Sequence, residues 1–398
     1  CIRDRTDSQY LSTITHIRLL ICPDPTGSRP EDYLMHSKII RTAAGFFASC
    51  AVLTGTVTVA QATPLTDLPT NLPAELPAAG EGFLRTAPNV PVHKASYGPD
   101  TSLAQARKAA GVTTGQPWPY ADPQNTEIPD PSVYSTVPEI RTPGCKLTKQ
   151  HPYPVVLVHG TWANAQKWED LAPFLQQQGY CIFAMNYGFD ARSAIYHNAK
   201  AGKFATNNIY SSAIELNNYV NKVLKLTGAK KVDLIGHSQA GLVFHLWMHD
   251  FRGNLRTKHS ITLAGTNHGT TMMGLSAFPV WQFPTLARDL SAILSSAAIQ
   301  QLVGSPMVRY INSLPDSMPG VRYTAIATKH DMTSTPYDAT FLKALPGAVV
   351  HNVTVEDVCK PGETLSHNKL TTNKSVQVLI LRALQDAQIT CAGTQWAR

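Results

Sequence analysis

The stretch KVDLIGHSQAG, residues 231–241, decides how this sequence is interpreted. Its first part is a short apolar run that predicts a buried strand, and residues 241–249 predict a helix. Between them stands Ser238, with the small residues Gly236 and Ala240 two positions away on either side. A serine on a sharp turn from strand to helix is typical of an exposed nucleophile, for which both neighbours must be small. The alternative is an ordinary turn or helix-cap serine.

Strand and helix patterns alternate on both sides of this turn. Short apolar runs predict further strands, and apolar residues three or four apart within residues 204–226 predict one face of an amphipathic helix. Strands separated by helices of this length indicate an α/β fold, with a mostly parallel sheet covered by helices on both faces. The predicted strands are 154–158, 180–187, 260–264, 322–328 and 349–355, and a further helix is predicted at 167–178.

A serine nucleophile needs a base, and in this arrangement the chain order is serine, acid, histidine. Asp331 follows the predicted strand 322–328 directly and is the preferred acid. Asp338 lies further along and Asp316 precedes that strand, so both fit less well.

Two histidines follow these acids in the chain. His367 lies on a predicted loop before the last helix, and His351 lies within a predicted strand. His367 is therefore the expected base, and a structural role is expected for His351.

The negative charge that acyl transfer places on the substrate oxygen must meet donors already in place. The backbone N–H of Gln239, directly after the serine, is one expected donor. Thr161, on the loop after strand 154–158, is expected to supply a second from its backbone, and its hydroxyl is a candidate for a third. A plain strand-to-loop turn at 159–160 is the alternative.

The first 143 residues have a different composition. Residues 35–62 combine a basic stretch, an apolar run and Ala60-Gln61-Ala62, which predicts a secretory signal peptide rather than a transmembrane anchor. Residues 1–34 then form an upstream, non-native segment. Residues 63–143 hold 14 of the 28 prolines and predict an irregular extension, which places the catalytic domain at 144–398.

Cysteines and charge set further limits. Removal of residues 1–62 leaves four cysteines, which predicts two disulfides and allows three pairings. We favour Cys145–Cys181 and Cys359–Cys391, because each pair closes a modest loop. The net charge of +7 is scattered along the chain, without the basic patch of a nucleic-acid groove.

Metal and cofactor sites are not predicted. His245 and His249 stand four apart on one predicted helix, but Leu246 occupies the position of the glutamate in a zinc-binding HExxH motif. No cofactor is expected, and the sequence does not indicate an oligomeric state.

Six motifs in order make the region 138–391 similar to the class 2 lipase family, secreted bacterial lipases and esterases of the α/β-hydrolase superfamily. They are VVLVHGTWAN (155–164), GYCIFAMNYG (179–188), KVDLIGHSQAG (231–241), LAGTNHGT (263–270), KHDMTSTPY (329–337) and LSHNKL (365–370). The resemblance implies an α/β-hydrolase fold, a triad of Ser238, Asp331 and His367, and an oxyanion hole of Thr161 and Gln239. Ala240 departs from the family's usual glycine, and the residues around Asp331 also differ from its pattern.

The expected activity is hydrolysis of lipid or other carboxylic esters, at a lipid–water interface if the apolar segment 270–313 forms a lid. Simple packing of that segment into the core is the alternative. An acyltransferase or polyester depolymerase could use the same residues, and an inactive binding module of the same fold is the rival from another class.

Overall fold

One mixed sheet organises the residues that the computed structural model describes, which are 131–190, 202–272, 274–277, 280 and 284–398. The strand order is β1-β3-β2-β4-β5-β6-β7, and every neighbouring pair is parallel except β1 with β3. The strands are β1 (Ile140–Arg141), β2 (Val155–Val158), β3 (Ile182–Met185), β4 (Val232–His237), β5 (Thr257–Leu263), β6 (Arg322–Ala327) and β7 (Val349–Thr354).

Helices connect these strands. In chain order they are α1 (Leu171–Gln177), α2 (Ile209–Thr227), α3 (Ala240–Asp250), α4 (Pro284–Leu294), α5 (Ser296–Gln300), α6 (Pro306–Asn312), α7 (Val355–Val358) and α8 (Lys374–Leu384). The alternating pattern predicted from the sequence is confirmed. One predicted helix, 167–178, is instead a 3-10 turn, Ala165–Trp168, followed by α1.

Both faces of the sheet are covered, because alternate residues of a strand point to opposite sides. On β2, Val156 and Val158 join an apolar cluster with residues of α2, α3 and α6. Val155 and Leu157 join a second cluster, with residues of α1 and α8. All four β2 side chains are fully buried, as the uninterrupted apolar run predicted. Burying each such side chain contributes roughly 1.5–3 kcal/mol to stability.

The end of the proline-rich segment contributes to this sheet. Residues 140–141 form the antiparallel edge strand β1, although the sequence placed them in an irregular extension ending at 143. Two residues provide too short a pattern to predict a strand. Just before β1, the Tyr134 hydroxyl donates a 2.6 Å hydrogen bond to the buried carboxylate of Glu215 on α2. The predicted upstream segment, the signal peptide and residues 63–130 lie outside the described residues.

Two disulfides follow the favoured pairing. Cys145 is bonded to Cys181 and Cys359 to Cys391, with Cα–Cα distances of 5.5 and 5.1 Å. The first ties the segment after β1 to the start of β3, and the second ties the end of α7 to the chain after α8. Disulfides of this kind persist in oxidising compartments.

The apolar segment 270–313 contains α4, α5 and α6 between β5 and β6. Among its apolar residues, Met273, Phe278, Trp281 and Phe283 lie outside the described residues. Within the described part of the chain, no helix is both long and apolar enough to span a bilayer.

Candidate active site

The predicted site residues all follow parallel strands at the same edge of the sheet. Thr161 comes after β2, Ser238 after β4, Asp331 after β6, and His367 after β7 and α7. Because parallel strands end at one edge, loops distant in sequence meet there.

Ser238 has a φ of 57°, a left-handed conformation that residues other than glycine rarely adopt. Surrounding hydrogen bonds hold it there. Its N–H donates to the Leu263 carbonyl, and its own carbonyl accepts from the Gly241 and Thr266 N–H groups, each at 3.0 Å. Three backbone hydrogen bonds therefore fix the strained turn that the sequence predicted.

The residues two positions before and after Ser238 must be small because their side chains would collide. A Cβ built on Gly236 would lie 2.6 Å from the Cβ of Ala240 and 2.7 Å from the Phe244 ring. The observed alanine at 240 is accommodated because position 236 is glycine.

Asp331 and His367 form a buried hydrogen-bonded pair. The Nδ1 atom of His367 lies 2.8 Å from Oδ2 of Asp331, and the two residues are 7% and 5% exposed. The other carboxylate oxygen, Oδ1, accepts from the backbone N–H groups of Thr333 and Ser334 at 2.7 and 2.8 Å. These two donors fix the carboxylate, which in turn orients the imidazole.

The alternative acids and base do not form this pair. Asp316 contacts His268, with 3.4 Å between Oδ2 and Nε2. Asp338 lies on the 3-10 turn Tyr337–Thr340, and His351 is exposed on β7. The hydrogen-bonded acid–histidine pair is therefore Asp331 with His367, the pair that was preferred on sequence grounds.

The backbone N–H groups of Thr161 and Gln239 have no acceptor within the described part of the chain. Both belong to loops at the edge that carries Ser238. A Cβ built on Gly160 would lie 2.8 Å from the Cβ of Ser238, which places the Thr161 loop directly against the serine.

The Thr161 hydroxyl, by contrast, is already engaged. It donates to Oε1 of Gln239 at 2.6 Å and accepts from Nε2 of Gln301 at 2.9 Å. Gln301 accepts in turn from the Thr266 hydroxyl at 3.1 Å. In this structure the hydroxyl thus serves to hold the loop.

Gln301 and Tyr187 are two supporting residues that the sequence analysis missed. The Tyr187 hydroxyl donates to the His159 carbonyl at 2.6 Å, immediately before the Thr161 loop. Tyr187 lies in the motif GYCIFAMNYG, but neither that motif nor the residues around Gln301 indicate a supporting role. Their contacts join positions 28 and 140 residues apart, which no local pattern reveals.

Two buried histidines flank the nucleophile. Burial lowers the pKa of His159 to about 4, and burial followed by the nearby charge of His367 lowers the pKa of His237 well below 6.5. Both rings are therefore neutral at physiological pH, and they add no positive charge beside the site.

His245 and His249, the pair without a zinc motif, share one acceptor. The Nε2 atoms of both rings lie 2.9 Å from the carbonyl oxygen of Pro315, and the rings stack with centroids 5.0 Å apart. Burial lowers their pKa values to about 4 and about 3. These contacts give the two rings a structural role in the carboxyl-terminal half of α3.

Several solved structures resemble this chain. Lipase B of Aspergillus fumigatus is 15% identical with a TM-score of 0.49, and the match covers 65% of this chain and 58% of that lipase. The mature lipase BlEst2 of Bacillus licheniformis is 15% identical with a TM-score of 0.43, and the coverage is 62% and 98%. A lipase-esterase related protein of Clostridium acetobutylicum is 14% identical with a TM-score of 0.36, and the coverage is 62% and 98%.

A family model described as the alpha/beta hydrolase fold matches residues 153–309. The matched region contains Thr161, Ser238 and Gln239, and it ends before Asp331 and His367. The parallel strand order and the helices on both faces agree with this match. The chain therefore has the α/β-hydrolase fold.

Proposed function

We propose that this protein is a secreted serine hydrolase that cleaves carboxylic esters of lipids, as a lipase or carboxylesterase does, through an acyl-enzyme. The observation that carries the proposal is the 2.8 Å Asp331–His367 pair at the sheet edge where Ser238 occupies its strained turn. The names of the lipases similar to this chain agree with the proposal but describe those proteins alone.

In the proposed first step, the Oγ atom of Ser238 attacks the ester carbonyl carbon. The new C–O bond forms while the carbonyl π electrons move onto oxygen, and Nε2 of His367 takes the serine proton. The resulting imidazolium is oriented and stabilised by Asp331. When the tetrahedral intermediate collapses, the bond to the leaving alcohol breaks and His367 returns the proton to that oxygen.

In the second step, water replaces the alcohol. His367 takes a proton from water as its oxygen attacks the acyl-enzyme carbonyl, and the bond to Ser238 then breaks with the proton returned to the serine. A base positioned in this way contributes roughly 10²–10⁴ in rate.

The negative oxygen formed in both steps needs donors that are already oriented. The backbone N–H groups of Thr161 and Gln239 are assigned this role, because neither has an acceptor among the described residues. Loss of one such donor typically costs about 3–4 kcal/mol of transition-state stabilisation. No cofactor or metal ion is assigned a part in this reaction.

The segment 270–313 is proposed as a cap over the acyl chain. The indole Nε1 of Trp162, on the oxyanion loop, donates to the Leu294 carbonyl at the end of α4 with a distance of 2.9 Å. This bond connects the proposed cap with the catalytic loop. If the cap opens at interfaces, hydrolysis should increase abruptly once the substrate forms droplets, whereas a smooth increase through the solubility limit contradicts a mobile lid.

Secretion is proposed from the signal-peptide pattern at 35–62 and is consistent with the two disulfides. Sequencing the N-terminus of exported protein should find a start near Thr63. A mature terminus upstream of Met35 contradicts both the processing site and the assignment of residues 1–34.

The decisive experiment for activity compares the wild-type protein with Ser238→Ala on p-nitrophenyl esters from acetate to palmitate. Wild type should hydrolyse the series, with a chain-length optimum that separates esterase from lipase. Ser238→Ala should lose hydrolysis by a factor on the order of 10⁶. Both proteins should unfold at similar temperatures, since the substitution removes one hydroxyl.

A fluorophosphonate probe provides the second measurement. Wild type should be labelled at Ser238, and the alanine variant should not be labelled. Labelling without hydrolysis would favour the acyltransferase alternative, which is tested by adding an alcohol acceptor, and polyester films test the depolymerase. A folded wild-type protein that is neither labelled nor active would instead be an inactive binding module.

A further inference from the structure

His237, the residue before the nucleophile, lies where three catalytic loops meet. It is the last residue of β4, and its side chain is 3% exposed. The mechanism proposed above assigns it no step. Its contacts nevertheless reach the loop that carries the proposed base, His367, and the loop that carries the proposed oxyanion donor, Thr161.

The first contact reaches the main chain of the proposed base. The Nε2 atom of His237 lies 3.1 Å from the carbonyl oxygen of His367, and the two imidazole rings lie 4.5 Å apart between centroids. A carbonyl oxygen can only accept, so the imidazole carries its proton on Nε2 and donates it. The contact joins residues separated by 130 positions.

The second contact is with the oxyanion loop. A Cβ built on Gly160 would lie 3.1 Å from Nδ1 of His237. One edge of the ring therefore packs against the loop that presents Thr161, and the opposite edge holds the loop that presents His367. A side chain of fixed length between two catalytic loops sets their separation.

The His367 loop is attached on either side of this residue, where the Leu365 carbonyl accepts from the Thr328 hydroxyl at 3.1 Å and the Asn368 carbonyl accepts from Lys167 Nζ at 3.4 Å. The contact at the carbonyl of His367 itself comes from His237. His367 begins the short 3-10 helix His367–Thr371, whose N-cap Ser366 forms no capping bond through its side chain. The Asp331 carboxylate fixes the direction of the His367 ring, but it does not fix the position of the backbone that carries the ring. The bond from His237 acts on that backbone.

We propose that His237 is a positioning residue for the base: its Nε2–H, by holding the His367 carbonyl, sets the distance between the His367 imidazole and Ser238. This inference rests on the proposed function of the same site. His237 itself touches no substrate atom and transfers no proton.

The surroundings of His237 favour this role over proton transfer. The groups that face the ring electrostatically are His159, Lys167 and His367, all of which are cationic or can become cationic. Together with burial they keep the ring neutral, and the carbonyl acceptor at His367 selects the tautomer that carries its proton on Nε2. A neutral ring also adds no charge next to the imidazolium that forms on His367 during the reaction.

The experiment uses three substitutions that differ in where they place an N–H. In His237→Gln the amide nitrogen stands four bonds from Cα, as Nε2 does, so the donor is kept. In His237→Asn the amide stands one bond closer, at the position of Nδ1, and His237→Leu removes the donor while keeping apolar volume. Steady-state kinetics on p-nitrophenyl butyrate and thermal unfolding are measured for all three in the full chain.

We expect kcat of His237→Leu and His237→Asn to fall on the order of 10²-fold, the cost of a catalytic group displaced by about 1 Å, with KM little changed. His237→Gln should recover most of kcat. If all three variants match wild type, or if His237→Gln is as impaired as His237→Leu at equal folded fraction, the proposal is wrong. Where His237→Leu fails to fold, the contrast between Gln and Asn gives the same decision.

A spectroscopic measurement separates this inference from the proposed activity. The proton of His367 that is shared with Asp331 should give a far-downfield NMR resonance in wild type and in His237→Gln. It should be shifted or broadened in His237→Leu, because the ring moves relative to the carboxylate. An unchanged resonance in His237→Leu overturns the positioning role even in a protein without esterase activity.

Discussion

Two carboxylate–imidazole pairs lie at opposite ends of the parallel strands, one at their carboxyl ends (the carboxyl edge) and one near their amino ends (the amino edge). They differ in how many nitrogens of the imidazole ring are bonded to a carboxylate. At the carboxyl edge, His367 meets Asp331 through Nδ1 alone. At the amino edge, His259 meets Asp233 through Nδ1 at 2.8 Å and Asp386 through Nε2 at 2.9 Å.

The difference separates a base from a structural ion pair. An imidazole can accept a proton from a substrate only if one of its nitrogens is not already bonded to an acceptor. His259 has carboxylates at both nitrogens, and these raise its pKa despite its burial. The amino-edge cluster is therefore expected to stabilise the fold, whereas the carboxyl-edge pair is expected to serve catalysis.

The largest effect that distinguishes the two edges should come from Asp331→Asn. An amide in place of the carboxylate stabilises the wrong tautomer of His367, so kcat on p-nitrophenyl esters should fall on the order of 10⁴-fold. Asp338→Asn is the matched control, because Asp338 is the next acid along the chain, and it should remain active. Equal losses in both variants would mean that the acid has been misassigned.

Asp233→Asn should have the opposite outcome. The variant loses a buried, charge-assisted hydrogen bond while Asp386 still holds Nε2 of His259, so the free energy of unfolding should fall by roughly 1–3 kcal/mol. Urea unfolding measures this loss, and kcat per folded molecule should stay at the wild-type value. A large fall in kcat at full folding would contradict the separation of the two edges.

Gln301→Leu tests the support of the oxyanion loop. Loss of the 2.9 Å bond to the Thr161 hydroxyl should lower kcat roughly tenfold, less than the loss of a direct oxyanion donor. Gln300, the preceding residue, accepts from the Ile209 N–H and offers a comparison. Gln300→Leu should reduce thermal stability and leave kcat of the folded enzyme nearly unchanged.

The smallest expected effect is the pH dependence of the amino-edge cluster. Because the folded-state pKa of His259 is raised, the stabilisation that its charged form adds to the free energy of unfolding is fully present below about pH 6.5. This stabilisation declines as the pH rises through the folded-state pKa. The difference in unfolding free energy between wild type and His259→Leu should therefore narrow from pH 6 towards alkaline pH. A difference that widens over this range would show that His259 is neutral in the folded protein.

The nucleophile turn could be predicted from its sequence because its requirements are local. A strand, two small residues and a helix follow one another within residues 231–250, which is enough to predict a sharp turn at Ser238. Asp331 and His367 followed from chain order and strand ends. The disulfide pairing was also predicted, since each bond closes a loop of moderate length.

Other features could not be predicted because they depend on contacts across long separations. Strand β1 has two residues, so its identity comes from β3, its partner in the sheet. Gln301 reaches Thr161 across 140 positions, and nothing in the surrounding residues indicates this bond. The Thr161 hydroxyl was considered as a donor to the substrate oxygen, but the adjacent Gln239 and Gln301 side chains engage it instead.

The sequence by itself determined the alternating strand–helix pattern, the strained serine turn and the residue types available for acyl transfer, because periodicity and local sterics act over a few residues. Only the tertiary structure decided which nitrogens of each histidine are occupied and which loops are held together around Ser238. Both depend on hydrogen bonds between distant segments, and these bonds form only when the folded sheet brings the ends of its strands together.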